Sequence, residues 1–181
     1  HAKGIPAAVV YASGFAEEGA EGVELQRELQ AFAADSQMVI AGPNGMGNAN
    51  FKTGAITSFA TLFREHTPQL SFGQNALLTQ SGNLCAMLFS AGRARGLQFS
   101  HFINTGNEAC VEFSEYLDYL ADDADTATVL GYIEGLRDGP AFARACLKMR
   151  HAGKPLILLK GGRSEQGAQA AATHTAAMAG S

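Results

Sequence analysis

Residues 75–83 read NALLTQSGN, and residues 84–95 continue LCAMLFSAGRAR. The first five form a short apolar run and the next four a polar turn with a glycine. The rest carries Leu84, Met87, Leu88 and Ala91 at helical spacing. A strand over 75–79 thus feeds, without a spacer, a helix over 81–95. The alternation continues downstream. Residues 99–104 (FSHFIN), 128–133 (TVLGYI) and 155–159 (PLILL) read as strands. Between them lie helical stripes of Phe113, Tyr116, Leu117 and Leu120, and of Phe142, Ala145, Cys146 and Met149. Upstream, apolar runs at 6–12 (PAAVVYA) and 37–41 (QMVIA) flank a helical stripe of Leu25, Leu29 and Phe32. That is one parallel βαβ-like unit. Strand and helix repeated this way predict an α/β fold: a parallel sheet with helices on both faces. Residues 42–68 are loop-rich and read as a connection between two α/β pieces. Residues 161–181 are Gly/Ala-rich and lack a strand pattern.

Composition bounds the function. The chain has 181 residues, is 46% hydrophobic and 17% charged, and can bury a sizeable core. A formal net charge of -4 argues against a general nucleic-acid or anionic-membrane partner. No apolar run reaches the roughly 18 to 20 residues of a membrane span, and the opening HAKGIPAAVVY is not a signal peptide. Cys85, Cys110 and Cys146 are widely spaced, with no CxxC or Cys/His pattern. No metal site is expected, and a reducing, cytoplasmic setting is the simplest reading.

In parallel sheets, ligands bind beyond the carboxyl ends of the strands. The loops there are GPNGMGN (42–48), QSGN (80–83), NTGNEA (104–109), EGLRDG (134–139) and KGGRSEQG (160–167). In QSGN, Ser81 or Gly82 falls at a helix N-terminus, where free N–H groups and the helix dipole favour an anion and a glycine admits it closely. In NTGNEA, Asn107 or Glu108 is placed to cap the next helix. Glu134 ends a strand, beside Gly135, where a carboxylate can orient a partner. His174 lies among small residues in AATHTAAMAGS. Neutral imidazole is a competent nucleophile near neutral pH, and a carboxylate on one ring nitrogen would free the other to attack. Each feature alone is explained as readily by turn, cap or surface chemistry. His1, His66, His101 and His151 read as surface or packing residues. The chain has no GxGxxG, Walker A or GxSxG sequence.

Taken in order, GPNGMG, LLTQSGN, INTGNEACVEFSEYLDYLADDADT, YIEGLRDG and KPLILLKGGRSEQGAQAAATHTAAMAGS resemble the NDP-forming acyl-CoA synthetases, relatives of the succinyl-CoA synthetase α subunit. The resemblance covers nearly the whole chain. It implies that residues 1–55 are the end of a CoA-binding Rossmann-like domain, 56–67 a connection, and 68–181 a flavodoxin-like ligase domain cut short at its carboxyl end. The chain would then be a fragment of a larger, oligomeric enzyme. Its Mg-ATP/ADP site would lie on an ATP-grasp domain or subunit absent from this chain, and its other substrates would be CoA and a small carboxylic acid.

The implied reaction interconverts acyl-CoA, ADP (or GDP) and phosphate with acid, CoA and the nucleoside triphosphate. By motif, His174 carries the phosphoryl group and Glu134 hydrogen-bonds it. Ser81, Gly82 and Asn83 hold the phosphate. Pro43, Asn44 and Gly45 lie near the CoA thiol end, and Gly106 and Asn107 line the acyl or phosphate pocket. Three departures stand out: Gly45 where GPNC is commoner, THTAA with Ala176 where SHTGA is commoner, and Ala86 where succinyl-specific enzymes have a tyrosine. The last suggests a larger acyl group. The competing readings are a non-catalytic CoA or acyl-CoA sensor of the kind fused to protein acetyltransferases, and a generic nucleotide- or flavin-binding flavodoxin-like domain.

Overall fold

The computed structural model describes residues 3–63 and 72–162. Strands β1 (Ala7–Val9) and β2 (Val39–Ala41) pair in parallel, Ala8 opposite Ile40, and are joined through helix α1 (Ala20–Ser36). This is the βαβ-like unit read from the sequence. The remaining strands are β3 (Gly47–Asn50), β4 (Ala55–Ser58), β5 (Phe72–Thr79), β6 (Phe99–Asn104), β7 (Thr128–Ile133) and β8 (Leu156–Lys160). They form one sheet in the order β4-β3-β6-β5-β7-β8. Strands β6, β5, β7 and β8 are mutually parallel, and β3 runs antiparallel to both β4 and β6. The connecting helices are α2 (Gly82–Ala94), α3 (Phe113–Asp122) and α4 (Gly139–His151).

Strand β5 is central and covered on both sides, which explains its unbroken apolar run. Ala76 and Leu78 pack with Phe113, Leu117 and Leu120 of α3 and with Ala145 and Met149 of α4. Leu77 points the other way and packs with Cys85 and Phe89 of α2 and with Phe99 and Phe102. Phe89 meets the Phe99 and Phe102 rings at centroid distances of 4.9 and 5.5 Å. Helices thus cover both faces of the sheet, as expected.

Three sequence expectations change. On α2 the buried stripe is Cys85, Phe89 and Gly92, while Met87 and Leu88 are exposed. Both stripes have helical spacing. The smaller one faces inward because β6 presents phenylalanines that need close approach: a Cβ on Gly92 would lie 2.9 Å from the tip of Phe99. On α1, Gly22 and Gln26 are buried while Leu25 and Phe32 are exposed. The inner face of α1 meets polar groups: Gln26 Oε1 accepts from Asn107 Nδ2 (3.2 Å), and Gln30 Nε2 donates to the Ala109 carbonyl (2.8 Å). Finally, the 42–68 stretch holds the β3–β4 hairpin. The GNAN of β3 has little strand propensity, and pairing with β6 on one side and with β4 on the other supplies the order.

The buried histidine His101 has packing partners, Asn50 (3.0 Å) and Thr126 (3.4 Å). All three cysteines are free, and burial raises the thiol pKa of Cys85 to about 12. No described helix is long and apolar enough to cross a membrane, and no group of three or more metal-ligating side chains occurs among the described residues. The α2 assignment is checked by chemical denaturation. Phe89→Ala should cost about 3–5 kcal/mol, and Met87→Ser should stay within about 0.5 kcal/mol of the parent.

Candidate active site

Strands β5, β6 and β7 end side by side, and the loops that follow them meet the 42–46 segment. Between them lies a cleft of about 270 Å³, lined by Tyr11, Asn44, Gly45, Met46, Phe59, Gln80, Ser81, Gly82, Asn83, Gly106, Asn107 and Glu134. The cleft brings together eight residues singled out from the sequence: Asn44, Gly45, Ser81, Gly82, Asn83, Gly106, Asn107 and Glu134. Pro43 stands directly behind, its carbonyl accepting from the Asn107 N–H (2.8 Å). His174 lies outside the described residues.

The floor is the N-terminus of α2. Ser81 is its N-cap in extended conformation, and its hydroxyl accepts from Leu84 N at 3.5 Å, a long bond. The first N–H groups of a helix have no partner within it and carry the positive end of its dipole. Gly82 lets the Met46 side chain pack closely, since a Cβ would sit 2.9 Å from Met46 Cγ and would push that side chain aside.

The wall is the 104–109 loop. Asn104 Nδ2 donates to the Thr79 and Gln80 carbonyls (3.0 and 3.2 Å), while its Oδ1 accepts from Met46 N (2.6 Å). Gly106 has φ +63°, and a Cβ there would lie 2.2 Å from the Pro43 carbonyl oxygen. Asn107 borders the cleft, but its side chain is buried. It donates to Glu17 and Gln26 and accepts from Asn44 Nδ2 (3.1 Å). Asn107 therefore ties the β1–α1–β2 unit to the sheet. Neither Asn107 nor Glu108 caps α3. That helix starts from Glu112, in a reciprocal capping box with Glu115, because the loop first turns inward to meet the 42–44 segment.

Glu134 ends β7. Its N–H donates to Gln80 Oε1 (2.6 Å), its carbonyl accepts from Lys160 Nζ (2.6 Å), and the Tyr132 hydroxyl bonds its carboxylate. Three residues complete the arrangement: Gln80 and Arg137, which the sequence reading passed over, and Glu108, which it offered only as a helix cap. Gln80 joins three loops: Nε2 donates to Glu108 Oε1 (3.0 Å) and the Gly135 carbonyl (2.9 Å), and Oε1 accepts from Glu134 and Gly135 N–H. Arg137 donates to the Asn107 and Glu108 carbonyls, both at 2.8 Å. Glu108 is 2% exposed, in left-handed backbone at φ +56°. Burial pushes its carboxyl up to about 7, against the opposing pull of Thr105, Gln80, the Phe113 N–H and Arg137. The only sequence signal for these three was their adjacency to glycines in the loops already chosen. Opposite this polar wall, Tyr11 and Phe59 meet edge to face at 5.4 Å and remain 39% and 59% exposed.

The fold and cleft define an open α/β domain with its candidate site at a parallel sheet's carboxyl edge. The chain belongs to the succinyl-CoA ligase like flavodoxin domain family, which matches residues 72–181. It is 40% identical over 178 residues to a trans-feruloyl-CoA synthase from an unknown prokaryotic organism, covering 98% of this chain and 25% of that protein. It is 36% identical over 179 residues to the α subunit of acetate–CoA ligase (ADP-forming) II from Pyrococcus furiosus, covering 99% and 37%. Among solved structures, acetyl-coenzyme A synthetase 1 from Ca. Korarchaeum cryptofilum, in complex with phosphate and ADP, superposes with a TM-score of 0.81 at 31% identity. The match covers 97% of this chain and 36% of that one. The chain thus spans between a quarter and two fifths of these relatives.

Glu108 sets a pH dependence. Its folded pKa lies above the ordinary carboxylate value of 4.5, so its contribution to stability is complete below about 4.5 and is lost as pH rises through about 7. Denaturation at several pH values should therefore show the parent losing on the order of 3 kcal/mol relative to Glu108→Gln across that window.

Proposed function

We propose that this chain is the phosphohistidine-bearing part of an acid–CoA ligase that interconverts acyl-CoA, ADP and phosphate with acid, CoA and ATP. Residues 1–55 are the end of its CoA-binding domain and 68–181 the ligase domain. One observation carries the reading: Glu134 and the N-terminus of α2, formed by Ser81, Gly82 and Asn83, line the same cleft. This is the pairing needed to orient an imidazole beside a phosphoryl group. In the direction that consumes acyl-CoA and forms ATP, phosphate attacks the thioester carbonyl and displaces CoA to give an acyl phosphate. A ring nitrogen of His174 attacks phosphorus, the carboxylate leaves, and the phosphohistidine passes its phosphoryl group to ADP. Glu134 holds the other ring N–H, and backbone N–H groups at Ser81–Asn83 stabilise the transferring oxygens. Pro43, Asn44 and Gly45 stand at the CoA thiol end, with Gly106 beside the acyl phosphate. Asn107 keeps that wall in place. The nucleotide site lies on an ATP-grasp domain or partner subunit, and the enzyme is cytoplasmic and oligomeric. The ligase names of the relatives support this reading over a CoA sensor or a flavin-binding domain.

The Tyr11–Phe59 pair bears on the acid. Two large rings left exposed on a cleft wall suit a planar aromatic acyl group better than acetate. The similarity to a feruloyl-CoA synthase points the same way.

The test uses the complete protein. After incubation with Mg-ATP, mass spectrometry at alkaline pH should find an acid-labile phosphate on His174. Phosphorylation should vanish in His174→Ala and slow by about a hundredfold in Glu134→Gln. A protein that binds CoA yet takes no phosphate would be a sensor. For the acid, Phe59→Ala should raise KM for a cinnamate-type substrate about tenfold and leave acetate turnover unchanged.

A further inference from the structure

Glu108 combines three costs. It is a charged residue type buried to 2% exposure, in a left-handed backbone conformation that non-glycine residues rarely adopt, and its burial away from water disfavours the charged carboxylate. A residue kept under such conditions is held by its contacts. Two donors converge on its Oε1, the Thr105 hydroxyl (2.7 Å) and Gln80 Nε2 (3.0 Å). Gln80 is itself buried, with every polar atom of its amide engaged.

An amide can be turned over, exchanging its oxygen and nitrogen. In the observed orientation the oxygen receives the N–H groups of Glu134 and Gly135, while the nitrogen gives to Glu108 and the Gly135 carbonyl. Turned over, two backbone donors would face an NH2 group, and the Glu108 carboxyl would face an oxygen. The Glu108 acceptor thus adds to the Gly135 carbonyl and the two N–H groups in selecting the orientation that pins the backbone of Glu134. We propose that Glu108 is a positioning residue for Glu134, acting through the Gln80 amide. The functional meaning of that position rests on the role given to Glu134 above. Arg137 reinforces the same contact, since it leaves the 134–139 loop to clamp the carbonyls of Asn107 and Glu108.

Two measurements separate this role from general stabilisation. The first is amide hydrogen exchange. Glu108→Ala should speed exchange at Glu134 and Gly135 about tenfold relative to Val129 and Leu130 within β7, because the Gln80 amide loses one of the partners that orient it. Glu108→Asp guards against an unfolded alanine variant. Aspartate tolerates left-handed backbone better, but draws the acceptor back by one methylene, so it should fold and still speed those two amides. The second measurement is the rate of His174 phosphorylation in the complete protein. Glu108→Ala should slow it about tenfold alone and add nothing to Glu134→Ala, as expected for a residue that works only through Glu134. Unchanged exchange at Glu134 and Gly135 would overturn the proposal. So would an undiminished effect in the Glu134→Ala background. If Glu134→Ala itself leaves phosphorylation intact, the role given to Glu134 fails, and the exchange result alone then decides whether Glu108 pins that backbone.

Discussion

The side chain of Asn104 is the joint on which the site depends. It sits at the carboxyl end of β6, 2% exposed, and makes three hydrogen bonds to other parts of the chain. Its nitrogen gives to the carbonyls of Thr79 and Gln80, where β5 turns into α2. Its oxygen takes the Met46 N–H from the segment that leads into β3. One amide therefore sets the spacing between two cleft walls and the start of the helix that forms the floor. All three partners are backbone groups beside the cleft, and each would be costly to bury unpaired. A residue of similar shape with only acceptors or only donors could not serve both sides.

The fold was legible where the chain has one apolar stripe per element. Strands β6 and β7 matched their expected ends, and α3 buried the stripe read for it, with Tyr116 at its margin, because nothing competed with these patterns. Helix α2 carries two apolar stripes, and periodicity cannot rank them. The outcome follows from the shape of β6, which is a tertiary fact. Helix α1 failed for another reason. Its burial is polar, through Gln26 and Gln30, so hydrophobic spacing pointed away from the contact. The β3–β4 hairpin was invisible because Gly and Asn in a strand carry no local signal. Such strands exist through their pairing partners.

The site was legible as a set of loops. Of the five loops chosen by the rule that ligands gather at the carboxyl ends of parallel strands, four contribute residues to one cleft, and most of the fifth, 160–167, lies outside the described residues. The rule names positions; it does not assign their work. Asn107 illustrates the gap: it borders the cleft, yet its amide is turned inward as a strut. Gln80 and Arg137 were missed, and Glu108 was read only as a helix cap, because their effect comes from bonds to one another across three loops, and no single segment encodes that convergence. Buried amide and carboxyl networks of this kind specify one loop arrangement by leaving no satisfied alternative.

The chemistry of the cleft wall follows from what it omits. Among the described residues that line it there is no lysine or arginine. The cations nearby are committed elsewhere: Arg137 to the carbonyls behind the wall, and Lys160 to the carbonyls of Glu134 and Gly161. An anion in the cleft would meet neutral donors, a helix terminus and the Glu134 carboxylate. Hydrogen bonds from neutral groups are roughly half as strong as those from charged ones. On the proposed reading this is an advantage. The phosphoryl group arrives from an acyl phosphate and must leave again on His174. Fixed backbone dipoles stabilise charge as it develops at the transferring oxygens. The Glu134 carboxylate favours the imidazole when it gains positive character. The network behind the cleft holds the backbone of Glu134 through Gln80 and the 104–109 loop through Arg137.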